Sequence, residues 1–142
     1  MSGANDEASV WAIVEEWIAK AEADRQSVTI LLTAGPALLG VAAFHCQQAA
    51  EKLLKGFLVL AGRRFRKTHD LKELGHAVKI QFPVVADLVA SVEAWTIWSF
   101  AYRYPAEDTP PAVPSSEELT GALNALDRLM SALRSKAPGN KN

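Results

Sequence analysis

The sequence predicts an all-α protein, an antiparallel up-and-down four-helix bundle with one additional short helix. Three observations predict it. Between the glycines and prolines, apolar residues recur at spacings of three and four, the period of a helix face. Runs with the alternation of a half-buried strand are absent. The breakers fall between the periodic runs, at Gly35-Pro36, Gly62, Pro83 and the cluster from Pro105 to Pro114.

The first helix is expected over residues 8–33, with Val10, Val14, Trp17, Ala21, Val28 and Leu31 on one stripe and Gly35-Pro36 ending it. The second runs from Pro36 to Ala61 on a stripe of Ala42, Cys46, Ala49, Leu53, Phe57 and Leu60, and Gly62 is its C-terminal stop. A basic loop, Arg63 to Lys67, follows. The third helix is brief, Asp70 to Ile80, and Asp70 with Glu73 resembles a capping box with an acidic cap. Pro83 suits the first turn of a fourth helix that buries Val85, Leu88, Val92, Trp95 and Tyr102 and stops at Pro105. Ser115 and Glu118 make a second capping box ahead of Leu119, Leu123, Leu126, Met130 and Leu133. These elements form one domain over residues 1–142, with a core over about 8–135 and a frayed tail over about 137–142.

Composition excludes several function classes. The 142 residues are 49% hydrophobic, with 15 basic against 16 acidic side chains, so the footprint of a general nucleic-acid binder is missing. A single cysteine, Cys46, excludes an intramolecular disulfide and a four-cysteine zinc site. It lies in an apolar stripe, where a thiol behaves as an inert hydrophobe. No apolar run is long enough to span a membrane, and MSGANDEASV lacks the basic start and apolar stretch of a secretory signal. The expectation is a soluble cytoplasmic protein without a membrane partner. Gly-rich phosphate loops and nucleophile elbows are absent, and no cofactor, metal or catalytic residue is assigned.

The second helix carries the most unusual polar face. His45, Gln48, Lys52 and Lys55 form one stripe, flanked by Gln47 and Glu51. An imidazole, an amide and two ammonium groups along one groove suit phosphate or base recognition, and equally make a solvated face. Asp24 interrupts the apolar stripe of the first helix, where a carboxylate needs a partner such as His45 or Arg103, or must sit at the edge of the face. Arg103, in YRYP, reads as a cation favoured by a helix C-terminus or as a phosphate clamp flanked by Tyr102 and Tyr104. Arg63, Arg64, Arg66 and Lys67 surround Phe65, a cluster suited to local anion binding or simply placed after a helix C-terminus.

His69-Asp70 invites a metal reading, with His45, His69, Asp70 and Asp87 cast as the ligands of an HD-like phosphohydrolase, yet Asp70 is fully explained as an N-cap. Trp95 and Trp98 are not expected both to face one core, for which Phe100 and Tyr102 also compete. That competition leaves aromatic surface for a dimer contact.

The stretch AFHCQQAAEKLLKGFLVLAGRRFRKTHDLKEL, followed later by YRYP, resembles the HEPN domains, the higher-eukaryote and prokaryote nucleotide-binding group. The resemblance implies an antiparallel helical bundle that dimerises, encoded beside a minimal nucleotidyltransferase and acting with it in a toxin–antitoxin-like or nucleotide-handling pair. Many members are metal-independent ribonucleases whose site pairs an Arg with a His a few residues downstream. Here no histidine follows Arg103, so the downstream acid–base group of that mechanism is missing. On the matching positions His45, Gln48, Lys52, Thr68, His69 and Arg103 are the candidate ligand-binding groove. The resemblance thus implies a non-catalytic, homodimeric module binding a nucleotide or RNA, a nucleotidyltransferase, or both. The alternatives are a ribonuclease with His45 or His69 as a displaced acid–base residue, and the HD-like hydrolase.

Overall fold

The computed structural model describes residues 3–99 and 113–139, and every regular element among them is helical. Five α-helices follow in order: α1 (Gly3–Leu32), α2 (Leu39–Leu60), α3 (Leu71–Gln81), α4 (Ala86–Glu93) and α5 (Ser116–Arg134). Three 3-10 segments, Pro36–Leu38, Pro83–Val85 and Ala94–Ser99, lie between them. No helix among the described residues is long and apolar enough to cross a membrane.

Local chemistry explains the boundaries. Pro36 and Pro83 each open a 3-10 turn, because proline needs no amide donor in a first turn. Gly62 adopts φ +70°, and the amides of Gly62 and Arg63 reach back to the carbonyls of Val59 and Leu58 at 3.0 and 2.9 Å. This Schellman ending satisfies carbonyls that α2 leaves open and turns the chain into the basic loop. Ser115 and Glu118 form the complete reciprocal capping box at α5. At α3 only half of the expected box forms. Asp70 accepts from the amides of Lys72 and Glu73, whereas the Asp70 amide donates to Thr68 Oγ1 at 3.0 Å. Glu73 is free to take Arg66 instead.

Among the described residues of the helix expected from Pro83 to Pro105, only Ala86–Glu93 is α-helical, and Ala94–Ser99 winds as a 3-10 segment. In that tighter winding residues three apart eclipse, so Trp95 and Trp98 stack at 5.2 Å with planes 12° apart. Trp95 is buried and Trp98 packs against the core, so the competition expected between them does not arise. Phe100, Tyr102, Arg103, Tyr104 and Pro105 lie outside the described residues.

α2 is the central helix and packs against α1, α3, α5 and the 3-10 segment after α4. Its register against α1 is antiparallel: Asp24 meets His45 and Lys52, while Trp17 and Val14 face Gly56. The core between them holds Val14, Ala21, Val28, Cys46, Ala49, Leu53 and Phe57, all fully buried, with Leu119, Leu126 and Leu133 closing it from α5. A bidentate pair between Arg25 and Asp127 also joins α1 to α5, at 2.6 and 2.8 Å. The result is the expected helical bundle with an additional short helix.

Candidate functional site

Two carboxylates set in apolar helix faces organise the polar ridge of α2. Asp24 projects from α1 toward α2 and is buried. Its Oδ1 lies 2.8 Å from His45 Nδ1, and its Oδ2 accepts from Lys52 Nζ. One buried carboxylate therefore orients an imidazole and neutralises an ammonium group, which is how a charge survives at a desolvated position. His45 keeps some of its ring in solvent, and its edge meets the Phe44 ring at 5.5 Å.

The second carboxylate, Glu51, stands on α2 itself. Its Oε1 is 2.7 Å from His69 Nδ1 and accepts from Gln47 Nε2 at 3.3 Å, while Oε2 accepts from Lys55 Nζ at 2.9 Å. Burial pushes the Glu51 carboxyl up, but its bonds from Lys55 and His69 outweigh that and hold it below the usual carboxylate range. Lys55 is buried too, with its ammonium group 5.7 Å from the Trp17 ring centre and 5.8 Å from that of Phe65. Those two rings meet edge to face at 6.3 Å. Gln47 Nε2 also donates to the His69 carbonyl at 3.1 Å, and Gln48 Nε2 donates to Gln47 Oε1 at 2.8 Å.

These contacts fasten the loop between α2 and α3 at both ends. Phe65 is gripped by Trp17 and Lys55; His69 is held through its ring by Glu51 and through its backbone by Gln47. The His69 side chain is nevertheless 61% exposed, so its Nε2 edge is presented to solvent. Exposed Arg63 and Arg64 stand just before the Phe65 anchor and exposed Lys67 between it and His69, none with an acidic partner among the described residues. Arg66 is paired with Glu73 at 2.8 Å, which raises its pKa through the Glu73 hydrogen bond.

Of the groove residues, His45, Gln48 and Lys52 share the α2 ridge, and His69 is joined to them through Glu51, Gln47 and Gln48. Thr68 shapes the loop by accepting the Asp70 amide. Arg103 lies outside the described residues. Gln47, Glu51, Lys55 and Phe65 were absent from that set and are central to the network. Their signal in the sequence is the spacing of Gln47, Glu51 and Lys55 at i, i+4 and i+8, a second polar row beside the first. Lys55 belongs to this buried row rather than to an open groove.

The HD-like ligand set is not assembled. His45 and His69 are bound to different carboxylates, and Asp70 caps α3. Among the described residues no three His, Cys, Asp or Glu side chains are grouped to share a metal ion.

A family model, that of the HEPN domain, matches residues 14–136. The chain belongs to the HEPN family. The match spans most of α1 and the whole of α2, the fastened loop, α3, α4 and α5 of this HEPN chain. Comparison with curated proteins and with solved structures returns no match.

Proposed function

We propose that this HEPN domain is a non-catalytic nucleotide-binding module that works as a homodimer with a minimal nucleotidyltransferase. The observation that carries the reading is the fastened basic loop. The backbone that carries its arginines and lysine is anchored at Phe65 and at an exposed, carboxylate-bound His69, so less of the loop remains to be ordered when its cations gather around a phosphate. His45, Gln48 and Lys52 extend the polar face along α2, and Arg103 is its expected further phosphate contact. Lys52 already serves Asp24, so it shares its charge with a phosphate rather than supplying it whole.

Thermal unfolding against a nucleotide panel, with magnesium, manganese or EDTA, tests this reading. A nucleotide at about 100 times its Kd adds about 2.7 kcal/mol, which raises the midpoint by about 5–10 °C. His69→Ala is expected to lose the shift while keeping its helical content. No shift with any nucleotide refutes the nucleotide-binding claim. Co-elution of the chain with a minimal nucleotidyltransferase tests the partnership, and light scattering tests the dimer.

The Glu51–His69 pair also favours a second reading. An imidazole anchored at Nδ1 and open at Nε2 is the arrangement of a general acid–base group, here displaced from the Arg–His site of the family. EDTA-resistant RNA cleavage that disappears in His69→Ala supports it; cleavage that survives the substitution overturns it.

A further inference from the structure

Beside the fastened loop lies a cleft of about 310 Å³, separate from the α2 ridge. Its floor is Leu58 of α2 with Leu74 and Ala77 of α3, and its wall is Phe65. Arg64 and the Arg66–Glu73 pair form the rim. Resting on the nucleotide reading above, we infer that this cleft takes the base of a nucleotide, with its phosphates on Arg64 and the neighbouring loop cations.

The chemistry of the lining argues for such a ligand. An aromatic wall over an aliphatic floor accepts the flat, weakly hydrated face of a base, and stacking of that kind does not depend on base identity. The rim is not uniformly cationic. Arg66 is neutralised by Glu73, so the charge left for a ligand belongs to Arg64, with Arg63 and Lys67 next to it in the loop. The cleft thus presents an apolar slot with cations on one side, which matches a molecule apolar at one end and anionic at the other. The α2 ridge is different. Its His45 and Lys52 already face the Asp24 carboxylate, so they have less charge to give a phosphate than the unpaired loop cations.

Phe65 is also fixed in place. Its edge-to-face contact with Trp17 and the Lys55 ammonium group hold the ring from behind, so the wall exists before a base arrives. A free nucleotide and the end of an RNA strand share this base-plus-phosphate chemistry.

Calorimetric titration of the full chain with ATP, inorganic tripolyphosphate and a short oligoadenylate tests the assignment. Ala77→Phe fills the cleft from the α3 side, Arg64→Ala removes the rim cation, and Arg128→Ala on α5 is the control. ATP is expected to bind the wild-type chain and the control alike, and each cleft variant roughly 10- to 100-fold more weakly. Tripolyphosphate is expected to bind at least roughly tenfold more weakly than ATP because it lacks the base. Tighter binding of oligoadenylate than of ATP assigns the slot to an RNA end, and the reverse assigns it to a free nucleotide.

Ala77→Phe that binds ATP like wild type overturns the base slot and leaves the nucleotide reading intact, as does tripolyphosphate that equals ATP. Ala77→Phe that dissociates a dimer without changing ATP affinity gives the cleft to a second copy of the chain, and also overturns it. Failure of ATP and oligoadenylate to bind the wild-type chain removes the nucleotide reading itself, and this inference with it.

Discussion

Replacing Glu51 with Leu removes the one group that Lys55, Gln47 and His69 share. Glu51 is 4% exposed and Lys55 8%, so the ion pair between them is buried and little screened by solvent. Breaking such a pair strands a desolvated charge at a cost of about 3–5 kcal/mol. For a chain of this size a kcal/mol corresponds to about 2–4 °C, so the midpoint should fall by about 6–20 °C. Lys55→Met keeps an apolar stem between Trp17 and Phe65 and leaves Glu51 its bonds from His69 and Gln47. That variant should lose only about 1–3 kcal/mol.

The double variant Glu51→Leu/Lys55→Met buries no unpaired charge and should cost at least about 2 kcal/mol less than the sum of the two single losses, an interaction energy in the range expected of groups in contact. Urea unfolding at neutral pH reads all three. Trypsin adds a local measure, since the loop offers Arg63, Arg64, Arg66 and Lys67, and release of His69 should speed cleavage there before global unfolding. Additive losses in the double variant, or a Glu51→Leu cost below about 1 kcal/mol, would refute the account of the network.

Four further outcomes follow from the same structure. Because the folded Glu51 carboxyl is held below its ordinary value of 4.5, its contribution to stability is present above that value and is lost as pH falls through the lower, folded one; acid titration of stability should be shallower in Glu51→Gln. Gly75→Ala places a Cβ 2.6 Å from Glu93 Oε1 and 2.9 Å from Val89 Cγ1, and Glu93 is drawn in by Lys79 at 2.6 Å, so the change should cost about 1–3 kcal/mol in urea unfolding. Gly121→Ala, with nothing within 4 Å of its Cβ in α5, should instead gain about 0.5–1 kcal/mol. Cys46 is fully buried, and burial pushes its thiol up to about 12, so thiol reagents at mildly alkaline pH should label it only in denaturant.

The legible features of the fold are those with local causes. Gly62 and the Ser115–Glu118 box mark helix ends through hydrogen bonds within a few residues, and the structure keeps both. The winding after Glu93 was hidden because Trp95 and Trp98 fit spacing three in either an α or a 3-10 helix. Asp24 stood out in the sequence as a carboxylate on an apolar stripe, and it is one of the two organisers of the site. Glu51 and Lys55 showed only as members of a polar row with Gln47. Their residue types suit a solvated face, and only the return of Phe65 and His69 over α2 buries them. That closure is tertiary, so residue type and spacing do not reveal it.

The stacked indoles of Trp95 and Trp98 also make this segment an optical gauge of its own pitch. Three residues advance about 360° around a 3-10 axis and about 300° around an α axis. Rewinding the segment as an α-helix would therefore swing Trp98 about 60° off its neighbour and separate the nearly parallel chromophores. Their excitonic coupling in circular dichroism reports the winding without any added label.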